Sequence, residues 1–592
     1  MPDTPLPRRR QFLAGLGALG AATVAGELAD RSQRPPTVPK LAGAVSAQTR
    51  RERRPNILLI VSDQERSGAD LPAGLQLRAH EWLQERGTSF TEYHANTTPC
   101  SPSRSTMYFG QHTQHTRMTA NIEAPPTFPQ LPDGLPSVGH LLQAQGYYTA
   151  YKGKWHLSPL RHDPGLTYGP YPSVADALEP YGFSDFNADG DPHGATWTGF
   201  RTDRQTASNA IEWLGTKGRA MQGRQPWFLA VNFVNPHDVM YFSTGAQQEQ
   251  TRIRRNVLAP LAGAPHSSPY QRAWDVPLPA SFYADDLASK PSAQRQFVEL
   301  CNALYGRIER HDEAAWHAYQ SYYFNCIRDV DQQALSVLRA LEEFGLDEDT
   351  IVIYTADHGE MAGAHGLRQK GPHIYKENVR LPFLVRHPDA ARGSSTPALA
   401  CCLDLTPTLL GFAGVQPRAR EEAYPYLKGV DLSAAVASPA ARTERDRRGI
   451  LFNYGVPLYI DARYTESSIR TDHVIDRLTP LRVLLHGERP LPSLDQHALF
   501  RGIHDGRYKF ARYFKPSAHH KPRDWDTLLA HNELELYDTR RDPDELDNLA
   551  AQPEQHKDLL LSLAARTNAL VDLEVGADDG SEFPGPRALY NL

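Results

Sequence analysis

The chain has 592 residues, of which 40% are hydrophobic, 22% charged and 9% aromatic, and its formal net charge is −6. That composition supplies a large core and excludes wholesale disorder. The slightly acidic balance excludes a mainly electrostatic nucleic-acid binder, which would be strongly basic. Beyond the N-terminus no apolar run approaches the roughly 20 residues of a membrane span. The length predicts about two to four domains, one of which can be a large α/β unit.

Residues 8–13 read Arg-Arg-Arg-Gln-Phe-Leu, and a Gly/Ala-rich, weakly apolar stretch runs from Ala14 to Gly26. The pattern, with Arg9, Arg10, Phe12 and Leu13 in place, resembles a bacterial twin-arginine export signal. The apolar stretch is too short and too rich in glycine for a membrane helix. Val45-Ser46-Ala47 suits a signal peptidase. Residues 1–47 are therefore read as signal peptide and linker. The implied partner is the twin-arginine export machinery, and the implied location is periplasmic or secreted.

From Asn56 the pattern alternates strand and helix. Ile57 to Val61 is a continuous apolar run, as in a strand buried on both faces. Leu77 to Arg86 and Val138 to Gln145 read as helices, the latter closed by Gly146. Tyr147 to Tyr151 and Pro226 to Val234 read as strands, with a helix from Arg204 to Leu214 between them. Residues 238–310 read as a long insertion with short helices. A helix over Ala314 to Phe344 precedes strands at Ile351 to Thr355 and Pro382 to Arg386. The alternation predicts a large doubly wound, mostly parallel sheet flanked by helices, over residues 48–440. After the charged linker TERDRR, residues 441–592 read as a smaller α+β unit with a short antiparallel sheet. Its strands are Ile450 to Asn453 and Tyr508 to Tyr513, and its last helix runs from Pro553 to Leu573.

Asp63, His237 and Asp357 each follow a predicted strand, where sites assemble in open α/β sheets. There are five cysteines: Cys100, Cys301, Cys326, Cys401 and Cys402. An odd, dispersed set without CxxC is no disulfide scaffold or thiolate zinc site. Pairing of Cys301 with Cys326 stays open. A helix starting just after Cys100 would turn its N-terminal dipole on an anion, with Ser101 and Pro102 in its first turn.

Cys100-Ser101-Pro102-Ser103-Arg104 resembles the signature of type I sulfatases, in the alkaline phosphatase superfamily. The resemblance extends from about Asn56 to Leu549, through NILLIVSDQ, GYYTAYKGKWHLS, NPHD, TADHGEMAGAHGL, KGPHIYKENVRLPFLV and LYDTRRDPDELDNLA. It implies that Cys100 is oxidised to Cα-formylglycine by a formylglycine-generating system. The chemistry explains such a residue: one hydroxyl of the aldehyde hydrate attacks sulfur, and the other, once deprotonated, expels sulfate. An unmodified Ser or Cys lacks that second step.

The resemblance also implies a divalent metal held by Asp63, Gln64, the modified Cys100, Asp357 and His358. Ca²⁺ ranks first, and Mn²⁺ or Mg²⁺ also suits these donors. Most of the family has Asp-Asp where this chain has Asp63-Gln64, and Asp-Gln occurs in choline-sulfatase-like and phosphonate-monoester-hydrolase-like relatives. Arg104, Lys154 and Lys370 match cations that meet the sulfate. His156 matches the histidine that deprotonates the hydrate, and His237 the one near the leaving oxygen. Lys376 competes with Lys370, whereas His112, His115, His365 and His373 read as structural or substrate-contacting. The implied reaction is hydrolysis of a sulfate ester, small molecule or glycan, to alcohol and sulfate. The alternatives are a phosphonate monoester or phosphodiester hydrolase of the same superfamily, and an inactive binder of sulfated glycans. Insertions at 158–200, 238–310 and 455–500 are expected to shape the pocket.

Overall fold

The computed structural model describes residues 54–582, apart from 69–70, 73, 124–128, 160–176, 188–189, 253–258, 457–460, 462–492, 494 and 517–518. The signal-like segment 1–47 and much of two pocket-shaping insertions lie outside the described residues.

The main sheet has seven strands: β1 (Asn56–Asp63), β2 (Thr88–His94), β3 (Tyr148–Gly153), β4 (Trp227–Pro236), β5 (Thr350–Ala356), β6 (Phe383–Arg386) and β7 (Ser394–Cys401). Their order is β3-β4-β1-β5-β6-β2-β7. All pairings are parallel except those of β6, which runs antiparallel to β5 and β2. The sheet is thus mostly parallel, as expected. The central strand β1 is buried along its whole length because it has helices on both faces.

Alternation along β1 defines those faces. Ile57, Leu59 and Val61 pack in one cluster, and Leu58 and Ile60 in the other. The second cluster is closed by α1 (Arg78–Arg86) and, farther along the chain, by two longer helices. The first is closed by α2 (Cys100–Phe109) and α3 (Val138–Ala144). The longer pair are α4 (Thr198–Trp213) and α6 (Glu313–Glu343), and α5 (Ser292–Tyr305) lies between them in the chain. α4 starts six residues before its expected Arg204, since Gly199 and Phe200 donate their amides to Asp238 and anchor the first turn. α7 (Leu405–Phe412) completes the first layer. Across the second layer His80 of α1 joins Asp331 of α6 at 2.8 Å and Glu65 at 3.0 Å. Burial alone would lower its imidazole, but these carboxylates raise it from 6.5 to about 10.

The smaller sheet is antiparallel, in the order β11-β10-β9-β8, from β8 (Ile450–Tyr454), β9 (Leu499–His504), β10 (Tyr508–Phe514) and β11 (Asn532–Asp538). Leu451, Ile503 and Phe510 pack under α8 (Lys557–Glu574). All five cysteines are buried free thiols, so the Cys301–Cys326 pairing is not made. Cys301 packs with Phe297 and Tyr305, whereas Cys326 packs in a separate cluster with Tyr322 and Trp316.

Arg445 ties the two sheets' layers together. Its buried guanidinium meets Asp404, at the head of α7, at 2.5 Å, and Glu574 of α8. Burial alone would depress this guanidinium, yet Asp404 and Glu574 hold it well above its usual range. Arg445→Met leaves the buried Asp404 without its cation and Glu574 with His112 alone, and removing one partner of a buried pair costs about 3–5 kcal/mol. We expect a matching fall in denaturant midpoint, and an unchanged midpoint would refute the role.

Candidate active site

The sheet delivers its polar groups to one edge, the C-terminal ends of its parallel strands. Asp63 ends β1, His237 follows β4, Asp357 and His358 follow β5, and Lys154 and His156 follow β3. Cys100 opens α2, six residues after β2 ends. Parallel pairing of β1 with both β4 and β5 brings three of these loops side by side.

At the centre is the Cys100 thiol. Its Sγ lies 3.2 Å from His358 Nε2 and 3.6 Å from Asp63 Oδ1. Asp63, Cys100, Asp357 and His358 all offer donor atoms within 4.8 Å of one another, and all four residues are buried. His358 Nδ1 bonds the Gly359 carbonyl at 3.0 Å, which leaves Nε2 facing the centre. Burial lowers the His358 imidazole. Asp357 Oδ1 accepts the amides of Gln64 and His358, at 3.1 and 2.9 Å.

Two cations neutralise these carboxylates. Lys154 Nζ lies 2.6 Å from Asp63 Oδ2, and Arg104 Nη1 lies 3.3 Å from Asp357 Oδ2. Burial alone would raise the Asp63 carboxyl, but the ammonium groups of Lys154 and Lys370 hold it well below the usual range. Arg104 also bonds Tyr151, Asn232 and the carbonyls of Lys154 and Trp155. Its ion pair with Asp357 joins it to the centre.

Gln64 adopts φ 75° and His156 φ 57°, a left-handed backbone unusual for such residues. Strain of this kind persists where surrounding contacts impose it. The Gln64 side chain accepts from Lys370 Nζ through its oxygen and donates to Glu360 through its nitrogen. His156 is held by its own amide on Asp191 at 2.8 Å and by Nε2 on Glu123 at 2.9 Å. Burial would lower its imidazole, but Glu123 raises it. His237 is buried, and burial together with Lys370 and Lys154 drives its imidazole well down, so it is neutral near pH 7.

The sequence-based candidates Asp63, Gln64, Cys100, Arg104, Lys154, His156, His237, Asp357, His358 and Lys370 thus form one connected cluster. The others lie elsewhere. Lys376 pairs with Asp544 at 2.7 Å and is not the equivalent of Lys370. His112 pairs with Glu574, His365 with Asp285, and His373 is buried beside Phe297 and Tyr375. Sequence reasoning missed Glu123, Glu360, Gln369 and Asp191, which hold Gln64 and His156 in place. Of these only Glu360 and Gln369 sit inside quoted motifs, and nothing in their spacing marked them.

Such a sheet, with carboxylates, an imidazole and a buried thiol gathered at the C-terminal ends of its parallel strands, forms a candidate active site. The family model described as Sulfatase matches residues 55–415, more than half of the chain, and the chain belongs to that family, whose members hydrolyse sulfuric esters. An ulvan-active sulfatase from Formosa agariphila is 25% identical over 415 residues, 68% of each chain. Among solved structures, a 2-O GAG sulfatase superposes with a TM-score of 0.58 at 20% identity, covering 91% of this chain and 96% of that one. A phosphonate monoester hydrolase of Agrobacterium radiobacter gives 0.56 at 20% identity, over 88% and 96%.

Gly194, at φ +108°, lets the His237 ring approach: a Cβ there would lie 2.7 Å from the ring. Gly194→Ala is expected to displace His237 and cut kcat on an aryl sulfate about 100-fold, the scale of a 1 Å misplacement. The melting temperature should fall modestly, because alanine is strained at this φ, and wild-type turnover in the variant would show that His237 takes no part.

Proposed function

We propose that this chain hydrolyses a sulfate ester, of a small molecule or a glycan, to an alcohol and inorganic sulfate. Cys100 is converted to Cα-formylglycine, and Asp63, Gln64, Asp357, His358 and residue 100 hold a divalent cation. The observation that carries this reading is the convergence of Asp63, Asp357 and His358 on the Cys100 thiol.

The donors fit such a cation. There are two carboxylates, an imidazole whose Nε2 faces residue 100, and the Gln64 oxygen, which keeps a second lone pair beside its bond from Lys370. Ca²⁺ ranks first by its preference for oxygen, and His358 with Gln64 tilts the set toward Mn²⁺. When bound, the cation supplies Lewis acidity that polarises a sulfate oxygen and acidifies the nucleophile. The hydrate of residue 100 supplies two hydroxyls, one for attack and one for release.

The chain's own residues do the rest. Lys154 and Lys370, both buried, offer charge to the non-bridging oxygens. Glu123 holds His156 by Nε2, which leaves Nδ1 to take a proton from residue 100. His237, neutral, donates a hydrogen bond to the leaving oxygen. Arg104 positions Asp357 and closes the floor between α2 and β4.

A second reading, phosphonate monoester or phosphodiester hydrolysis, is compatible with the Asp63-Gln64 pair, which resembles that of phosphonate-monoester-hydrolase-like relatives. An inactive binder of sulfated glycans is disfavoured, because every candidate position keeps its functional group. Export through the twin-arginine route to the periplasm or exterior belongs to the same proposal. Formylglycine is installed on an unfolded chain, so it must precede folded export. Among the described residues no helix is long and apolar enough to cross a membrane.

The test is the mass of the proteolytic peptide holding Cys100, from protein made in a host that modifies other sulfatases. An aldehyde in place of the thiol is expected, and an unmodified thiol would overturn the reading. Modified enzyme should prefer aryl sulfate over aryl phosphonate esters, and the reverse preference would select the second reading. Chelation should abolish turnover, and graded return of Ca²⁺, Mn²⁺ or Mg²⁺ should rank the metals. Full activity after exhaustive chelation would remove the cation from the proposal.

A further inference from the structure

Beside the catalytic cluster lies a second group of metal-ligating side chains. Glu123, His156 and His193 offer donor atoms that all lie within 4.8 Å of one another. His156 Nε2 is 2.9 Å from both Glu123 oxygens, and His193 Nδ1 is 2.8 Å from Glu123 Oε1. The two imidazoles are stacked, with centroids 5.1 Å apart. Behind them, His193 Nε2 meets Asp191 Oδ2 at 3.0 Å, and Asp191 is fixed by the amides of Trp155 and His156 at 2.8 Å each.

From this geometry we infer a second cation site, formed by Glu123, His156 and His193, that takes a transition-metal dication of the zinc class and arrests turnover when filled. Three features support it. Two imidazoles and one carboxylate make a borderline-soft donor set that suits zinc rather than calcium. Zinc bonds of roughly 2.0–2.1 Å place tetrahedral ligand atoms about 3.3 Å apart, so the two spacings from Glu123 to the imidazoles need to open by only a few tenths of an ångström. A metal-bound histidine usually donates its other ring N–H to a carboxylate, and Asp191 already occupies that place for His193. Entry is open, since the Glu123 side chain is 50% exposed and that of His193 37%. The two carboxylates balance the dication; the His193 Nδ1 proton leaves as it binds, whereas the His156 proton moves from Nε2 to Nδ1.

The consequence for turnover follows from one proton. An imidazole metallated at Nε2 keeps its remaining proton on Nδ1, so His156 can no longer accept one from residue 100. The binding claim stands on the four side chains alone. The arrest rests on the proposed role of His156.

The test uses the full chain loaded with excess Ca²⁺. Equilibrium dialysis should show one further equivalent of Zn²⁺, and Co²⁺ should give the visible absorption of a low-coordinate site. His193→Asn should weaken both at least about tenfold. In zinc-free buffer this variant should turn over aryl sulfate as the wild type does, and it should resist zinc that stops the wild type reversibly. Equal zinc uptake by the two proteins would overturn the site. Equal inhibition would overturn the arrest and place zinc at the Asp63 centre instead. A variant slow without zinc would make His193 part of the proton path, against this inference. If no ester is hydrolysed by any form, dialysis and the Co²⁺ spectrum still judge the site.

Discussion

Buried charges in this site must cancel, and that constraint organises the rest. Asp63, Asp357 and Glu360 are fully buried, as are Arg104 and Lys154, and Lys370 is nearly so. An isolated ion in such surroundings would cost several kcal/mol or more, so each must find a partner. Arg104 answers Asp357, Lys154 answers Asp63, and Lys370 reaches Glu360 through Gln64. These pairs join segments far apart in the chain, so the charge balance depends on strand register. A slip of β5 against β1 by one residue would reverse Asp357 and expose Arg104 to an uncompensated interior. Register and electrostatics therefore enforce each other.

The smaller sheet takes part in the same design. Lys509 of β10 bonds the Ile374 carbonyl at 3.1 Å, and Tyr513 bonds that of Pro372 at 2.9 Å. Glu545 receives the Lys376 amide at 2.7 Å and pairs with Lys509 at 2.6 Å. These contacts hold residues 372–376, and through them the segment that presents Lys370. A loop left free would pay the entropy of ordering each time it met a substrate. The antiparallel sheet makes that payment once, during folding.

Much of this was legible from residue order, for physical reasons that differ by element. β1, β4 and β5 are buried on both faces and read as apolar runs. β2 and β7 went unread. β2 is TSFTEYH, a half-polar strand near the edge, and β7 lies at the edge and carries Pro397. Proline is tolerated there because an edge strand leaves some amides unpaired. The candidate positions were legible because the resemblance labels them by local motif, and the fold brings them into one cluster. Glu123 was not, since a single carboxylate in a loop gains meaning only when β3 brings His156 to it. Arg104 shows the reverse limit: its position was foreseen, but its partners, supplied by β3, β4 and β5, could be known only from the fold.

Gln64 shows how far charge alone can select a substrate. With Asp63, Asp357 and Glu360 set against Arg104, Lys154 and Lys370, the protein's own charges at the floor cancel. Glu360 returns, one residue removed, the carboxylate that Gln64 lacks, and it is fixed by the amides of Ala362 and Gln369 and by Tyr319. A divalent cation would add two positive charges to that neutral floor. A singly charged ester and one ionised nucleophile would cancel them, whereas a doubly charged ester would leave an excess of negative charge in a buried site. Sulfate esters, phosphonate monoesters and phosphodiesters all carry one negative charge near neutral pH, and phosphate monoesters carry close to two. The floor therefore disfavours phosphate monoesters without separating the first three. That separation must come from the shape and polarity of the walls, where the insertions differ most from any motif.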